Sequence, residues 1–461
     1  MSSTVIPLPS VPTPAPKPSA PSRPTPKLNI TTPPPLNADQ EAALVAAIAW
    51  INDPEGSPFH IIKGYAGTGK TFTVKSFVDR VRGRFVFCAP TNKATKVLRE
   101  SFSGTGYKPD CRTIYSLLGL RLEANGEIKE LTVKQHQPGE EPLDLSQFKC
   151  VIVDEASMLP LMLLRDHITK AANESGARFL FMGDPAQLPP VKEPRSPVWG
   201  LSDHGIPTSE LTKVMRHDNQ ILTLVTTIRG KVDLPLPQIR LASDNDGEEG
   251  VWYKSKIDWL KRIREVAETG QFHSGVAKAV AWRNVTVDQL NALVRSTYFP
   301  GAQHPWVDGD RVIFTAPAKD LDDEPMASTD DEGRVTRVTE SYHPYYSDIR
   351  TYDVDIELDT GSLVTARVLH PASRLEFERQ VADKAAAAKV SKRLWKDFWA
   401  MKEAFHSLRH AYAITAHRSQ GSTYEICFVD AGDILLNQNR QEAFRCLYVA
   451  CSRPKKQLWL A

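Results

Sequence analysis

The run His60-Ile61-Ile62-Lys63-Gly64-Tyr65-Ala66-Gly67-Thr68-Gly69-Lys70-Thr71 decides the fold. A short apolar strand feeds a glycine loop of the form G-x-x-x-x-G-K-[ST], and Phe72–Val81 continues as a predicted helix. The loop's glycines let backbone N–H groups curl around phosphate oxygens where a β-carbon would stand in the way. The positive end of the following helix faces the same point. Lys70 is placed for the β- and γ-phosphates and the Thr71 hydroxyl for Mg²⁺. A glycine turn that binds nothing is the bland alternative, and the strand before and helix after weigh against it.

Working outward, Phe85–Ala89, Val151–Val153 and Phe179–Met182 are further short apolar runs separated by helical stretches. That pattern predicts a parallel sheet buried on both faces. The run Val151-Ile152-Val153 ends in Asp154-Glu155. Adjacent acids there could open a helix, whose N-terminus favours negative charge. Behind a phosphate loop they read instead as Asp154 holding Mg²⁺ and Glu155 activating water. The chain has no clear N-K-x-D run for reading guanine, which argues against a GTPase.

The 461 residues, 41% hydrophobic and 24% charged, suit a soluble protein of two or three domains. A net charge of +2 does not announce a nucleic-acid binder, so any basic surface is local. There is no long apolar run and no secretory leader, so a cytoplasmic protein without membrane contact is expected. The six cysteines show no zinc spacing and read as reduced thiols. Residues 1–36, rich in Pro, Ser and Thr, read as a disordered tail with polyproline character. Asn37 or Asp39 is expected to cap a helix over Glu41–Ile51. Asn125-Gly126 marks a hairpin breaking the first domain's pattern. Ala277–Trp282, Ile426–Val429 and Leu458–Leu460 form a second set of apolar strands. Between them, residues 296–404 read as a small β-barrel-like insert, with Asp359-Thr360-Gly361 as a turn, followed by a helix over Lys389–Phe405.

Gly183-Asp184-Pro185-Ala186-Gln187-Leu188-Pro189-Pro190 resembles motif III of superfamily 1 helicases, and Asp154-Glu155-Ala156-Ser157-Met158 resembles their motif II. Other matches follow in the family's order. Gln40 resembles the adenine-reading glutamine, and Ala89–Ala94 motif Ia. Thr113–Leu118 resembles the short DNA-contacting motif after it, and Leu211–Arg216 motif IV. Thr415–Ser422 resembles motif V, and Tyr448–Arg453 motif VI. The likeness runs from about residue 36 onward and is nearest the Dda/RecD-like branch, which Trp395–Trp399 and Gly309–Ile313 also resemble.

The resemblance implies an α/β fold of two RecA-like P-loop NTPase domains. The first, residues 37–220, would carry a wedge hairpin at about 119–144. The second, residues 221–295 and 405–461, would carry an SH3-like β-barrel insert with a helical extension. It implies 5′-to-3′ movement on single-stranded or forked DNA, driven by ATP and Mg²⁺. Replication, recombination or repair is the implied setting, in a host cytoplasm if the chain is phage-encoded, and a monomer is expected. Gln40, Gly64, Ala66, Gly67, Thr68, Gly69, Lys70, Thr71, Phe72 and Gly421 would bind nucleotide. Gln187 would sense the γ-phosphate, with Arg216 and Arg453 as arginine fingers in cis. Pro90, Thr91, Asn92, Thr113, Thr415 and His417 would contact DNA.

Three positions depart from the pattern. Met215 stands where relatives stack an aromatic ring on adenine, Thr423 where many have a ribose-contacting acid, and Tyr115 where a histidine is usual. Four activities stay open: a helicase, a single-strand translocase without much unwinding, an RNA helicase, and a non-catalytic nucleotide-switched binding subunit. Asp154-Glu155 and the two arginines argue against the last. The Pro-rich tail could recruit replication or recombination proteins.

Overall fold

The computed structural model describes residues 35–103, 107–125, 128–133, 143–214 and 220–461. Most of the Pro-rich tail, Gly126, Met215 and Arg216 lie outside the described residues. Helix α1 (Ala38–Asn52) opens with a capping box: the Asn37 side chain accepts from the Gln40 amide at 3.0 Å, and Gln40 Oε1 accepts from the Asn37 amide at 3.0 Å. Asn37 is thus the cap. Asp39 instead accepts from the Thr212 amide and hydroxyl and from the Lys213 amide, which holds its carboxyl below the usual range.

The first sheet follows from β1 (Phe59–Gly64), α2 (Lys70–Arg80), β2 (Phe85–Ala89), α3 (Asn92–Ser101), β3 (Asp110–Thr113) and the single turn α4 (Ile114–Leu117). Next come β4 (Leu120–Asn125) and β5 (Ile128–Val133), which pair antiparallel, with Asn125 opposite Ile128. Then β6 (Cys150–Val153), α5 (Thr169–Ser175), β7 (Arg178–Gly183) and β8 (Thr208–Leu211) complete a six-stranded sheet of order β3-β2-β6-β7-β1-β8. Every neighbouring pair is parallel, and β2 and β6 are buried along their whole length, as their apolar runs require.

The second sheet is assembled from α6 (Gln220–Arg229), β9 (Asp244–Asn245), β10 (Gly250–Tyr253), α7 (Lys256–Glu268), β11 (Ala277–Ala281) and α8 (Asn284–Tyr298). There the chain leaves for the insert: β12 (Arg311–Phe314), β13 (Ala318–Lys319), β14 (Pro325–Ala327), β15 (Glu332–Tyr342), β16 (Arg350–Leu358), β17 (Leu363–Leu369), α9 (Arg374–Val390), α10 (Trp395–Lys402) and β18 (Leu408–His410). It returns through β19 (Ala413–Thr415), α11 (Ala416–Ser419), β20 (Tyr424–Val429), α12 (Ala431–Ile434), α13 (Arg440–Cys451) and β21 (Pro454–Leu460). The order is β19-β11-β20-β21-β10-β9, parallel except for β9. The strand period of two sorts its side chains: Cys427, Val429, Leu458 and Leu460 pack toward α6 and α13, while Ile426, Phe428 and Trp459 pack toward α7 and α8.

The insert is a five-stranded antiparallel sheet, β17-β16-β15-β12-β18, around Val312, Phe314, Val335, Val354 and Ile356. His406 and Arg367 exchange two hydrogen bonds, at 2.8 Å each, which draws β17 back toward the chain entering β18. Three boundaries differ from expectation. α8 runs to Tyr298, past 295, and β18 belongs to the insert although 405 was expected to restart the second domain. The helical part begins at Arg374, well before Lys389, and breaks at Ser391 before α10. α9 buries only Ala388, so it offers no apolar stripe by which a sequence reading could find it. α10 lies against β4 of the hairpin. Among the described residues no helix is long and apolar enough to cross a membrane, and all six cysteines are buried free thiols.

Candidate nucleotide site and nucleic-acid edge

The phosphate loop bridges β1 and α2 at the end of a central strand. Gly67 and Gly69 take φ of +83° and +80°, a left-handed conformation that L side chains resist. A β-carbon on Gly69 would meet Gln40 Nε2 at 2.4 Å, and one on Gly64 would meet Thr68 Oγ1 at 2.6 Å. Gln40 Nε2 donates to the Thr68 carbonyl at 3.0 Å while Oε1 serves the α1 cap. The residue expected to read adenine therefore braces the loop. Lys70 Nζ donates to the Gly64 and Tyr65 carbonyls at 2.6 and 3.1 Å. Reaching a phosphate means exchanging those two acceptors. Thr71 and Phe72 form the half-buried first turn of α2.

Asp154 and Glu155 leave β6, which lies beside β7 and so one strand away from β1. The Asp154 amide donates to the Cys88 carbonyl at 2.8 Å, and the Glu155 amide donates to Asp154 Oδ1 at 2.8 Å. Glu155 has φ of +52°, a conformation costly for a side-chain-bearing residue and concentrated at functional sites. Burial, then the Glu155 charge, pushes Asp154 up to about 7 against the pull of Lys70. Glu155 Oε2 is buried without a hydrogen-bond partner. Two crowded carboxyls, one oxygen orphaned, with the Thr71 hydroxyl at the head of α2, suit a hard divalent cation, and Mg²⁺ fits.

The loop after β7 joins the two halves. Asp184, fully buried, accepts from the Ala66 amide of the phosphate loop at 2.9 Å, from the Ala186 amide at 2.9 Å and from the Tyr448 hydroxyl of α13 at 2.6 Å. Arg445, one turn earlier on α13, donates to the Pro185 and Gln187 carbonyls at 2.6 and 3.1 Å. Gln187 Oε1 accepts from Gln420 Nε2 at 2.9 Å, and Ala186 and Leu188 sink into the second domain's core. Arg229 of α6 lies 3.5 Å from the Tyr65 ring centroid. Residues 184–188 thus grow from the first sheet yet are held by the second domain.

The expected DNA contacts share one architectural position. Thr91, Thr113 and Thr415 each end or follow a parallel strand and cap the next helix, accepting from the Ala94, Ser116 and Arg418 amides. Pro90 and Asn92 flank Thr91, and His417 is half-exposed on α11 beside Glu442. Helix starts at the carboxyl ends of parallel strands present N–H groups suited to a phosphate backbone. Lys93 crosses between domains, donating to the Arg418 carbonyl at 2.9 Å.

Arg453 is 3% exposed, and its guanidinium is held by the Val449 and Ser422 carbonyls and the Ser452 hydroxyl, all in its own domain. These bonds tie it to the segment after Gly421 rather than to the phosphate loop. Its expected partner Arg216 lies outside the described residues. Sequence reasoning passed over Asp184, Tyr448, Arg445 and Gln420 as site residues. Asp184 and Tyr448 lie inside the motif III-like and motif VI-like runs, and an acid three residues before Gln187, the expected γ-phosphate sensor, was the available signal.

A phosphate loop and acid pair on one parallel sheet, contacted by a second such sheet, define a P-loop NTPase of two RecA-like domains. The "AAA domain" family model matches residues 35–246, and the "UvrD-like helicase C-terminal domain" model matches residues 410–461. The chain is 24% identical to the ATP-dependent DNA helicase dda of Enterobacteria phage T4, over 80% of this chain and 86% of that one. It is 33% identical to the ATP-dependent RecD2 DNA helicase of Deinococcus radiodurans over 34% of this chain and 19% of that one. The Pif1 helicase from Bacteroides, solved with ADP-AlF3 and ssDNA, shares its fold at a TM-score of 0.50 and 17% identity, covering 92% of both chains. By its sequence relatives the chain is a Dda/RecD/Pif1-like superfamily 1 helicase.

Proposed function

We propose that the chain is an ATP-dependent DNA helicase that steps 5′ to 3′ along single-stranded DNA as its two RecA-like domains close and open. The observation that carries this is the loop 184–188, rooted in the first sheet and bonded to the phosphate loop, α11–β20 and α13. Phosphoryl transfer needs positioning and charge neutralisation more than covalent help. Lys70 exchanges its loop carbonyls for phosphate oxygens, Glu155 orients and deprotonates water, and Gln187 reads the γ-phosphate. Mg²⁺ held by Thr71 and Asp154 would supply positive charge against the phosphates. Arg216 and Arg453 serve as cis fingers; for Arg453 this requires release from the Val449 and Ser422 carbonyls.

Single-stranded DNA lies across Pro90–Asn92, Thr113, Thr415 and His417, bound through its phosphates. The β4–β5 hairpin is the wedge at a fork, and residues 299–410 are an SH3-like insert with a helical arm that backs it. The work is done in cytoplasm, a host's if the chain is phage-encoded, by a monomer.

Steady-state ATP hydrolysis with and without single-stranded DNA tests this. Wild type should be stimulated at least about tenfold and Lys70→Ala should lose the activity. Equal turnover with and without DNA would remove the motor reading at its central link.

A further inference from the structure

We propose that Asp184 and Tyr448 relay occupancy of the phosphate loop to α13, with Tyr448 a positioning residue for DNA-coupled turnover. The inference rests on the helicase reading and assigns its interdomain signal to one hydroxyl. One oxygen of Asp184 is shared by the Ala66 amide at 2.9 Å and the Tyr448 hydroxyl at 2.6 Å; the other takes the Ala186 amide. The Ala66 amide also lies 3.3 Å from the Tyr448 oxygen, so the three groups form one compact cluster. Of the donors, only Tyr448 comes from the second domain. Both side chains are fully buried, where charges act strongly on one another.

A polyphosphate seated on the loop brings negative charge beside Asp184 and competes for the Ala66 N–H. The carboxylate then leans on its remaining donors, and the one it can draw closer is Tyr448. Burial and the neighbouring Asp184 raise the phenol well above its ordinary value, so it stays a donor at working pH. Motion of Tyr448 is motion of α13. Arg445 fastens the same helix face to the Pro185 and Gln187 carbonyls. Beyond its far end, Arg453 is bonded to the Ser422 carbonyl, in the segment following Thr415 and His417, and release of that bond as Arg453 turns to the phosphates frees the same segment. The route therefore runs from the phosphate loop to the DNA edge through named bonds, with Asp184 as the shared acceptor.

The test uses the full chain, with Tyr448→Phe and Asp184→Asn. Single-strand affinity is read by fluorescence anisotropy with and without Mg²⁺ and a non-hydrolysable ATP analogue, beside steady-state hydrolysis. In wild type the analogue should change DNA affinity about fivefold or more; in each variant the change should shrink below about twofold. DNA-stimulated kcat should fall about tenfold while KM for ATP moves less than about threefold. Should Tyr448→Phe melt below the assay temperature, Asp184→Asn carries the same readouts. A folded Tyr448→Phe with the wild-type nucleotide response overturns the relay. So does a loss of rate that appears only as a raised KM. Wild type without any DNA stimulation overturns the helicase reading itself, and the relay with it.

Discussion

Asp154 is held in a conflict that its environment makes measurable. Its carboxyl is pushed from 3.8 to about 7, chiefly by burial and then by Glu155. Because the folded value lies above the unfolded one, folding takes up a proton between those two values. The stability this group contributes is complete at low pH and is lost as pH rises toward 7. Asp154→Asn should therefore raise the melting temperature of the protein without Mg²⁺ or nucleotide at pH 7.5, by about 1–2 kcal/mol of stability, while abolishing hydrolysis. An unchanged or lower melting temperature in differential scanning calorimetry would contradict the strained-acid account. Gly69→Ala should act in the opposite sense. It forces a β-carbon onto the Gln40 amide at a left-handed φ and should cost about 1–3 kcal/mol together with most ATP binding, read by denaturant melts and nucleotide titration. Lys70, Thr71, Asp154 and Glu155 were legible in the sequence because their meaning lies in consecutive residues beside a strand. Asp184 was not, because its partners Ala66 and Tyr448 lie 118 and 264 positions away. The use of Gln40 as a brace depends on the three-dimensional approach of α1 to the loop.

Elements were legible where they carry a period. The apolar strands β2, β6, β7, β11 and β20 stood out as runs, and the β16–β17 turn stood out through Asp359-Thr360-Gly361, where Gly361 takes φ of +86°. α9 escaped because an exposed arm needs no buried stripe, and the α8 and β18 boundaries shifted because an insert's edges have no composition of their own. The β4–β5 pair, against which α10 lies, is the element on which strand separation is expected to depend. Replacing residues 121–132 by a short Gly-Ser turn should keep single-strand-stimulated hydrolysis within about threefold and cut fork unwinding at least about tenfold. Unwinding that survives in a fluorescent fork assay would move the wedge elsewhere and favour a translocase that strips bound proteins.

At the scale of the molecule, Glu332 of the insert is the point where three parts meet. It accepts from Lys278 of β11 at 2.9 Å and from Arg311 of β12 at 3.1 Å, and it feels the charge of Lys93 from the first domain. Burial pushes its carboxyl upward, but Lys278, Lys93 and Arg311 together hold it below the ordinary 4.5. This stabilisation is present above the unfolded value and is lost as pH falls through the lower folded one. Glu332→Gln leaves Lys278, 2% exposed, without its counter-charge and should cost about 3 kcal/mol at pH 7, measured by urea melts. A loss under about 1 kcal/mol would mean that the insert is anchored by apolar contacts alone. The path of the chain has a further consequence, for how the protein is made. In the second sheet β11 lies between β19 and β20, and β10 lies against β21, so strands from residues 250–281 wait for partners from residues 413–460. The first sheet closes with residues 208–211 and can fold while the rest is still being synthesised. The second cannot begin to close until the whole insert has been threaded out, so its half-built sheet, with open apolar strands, is the interval in which a nascent chain is most exposed to misassembly.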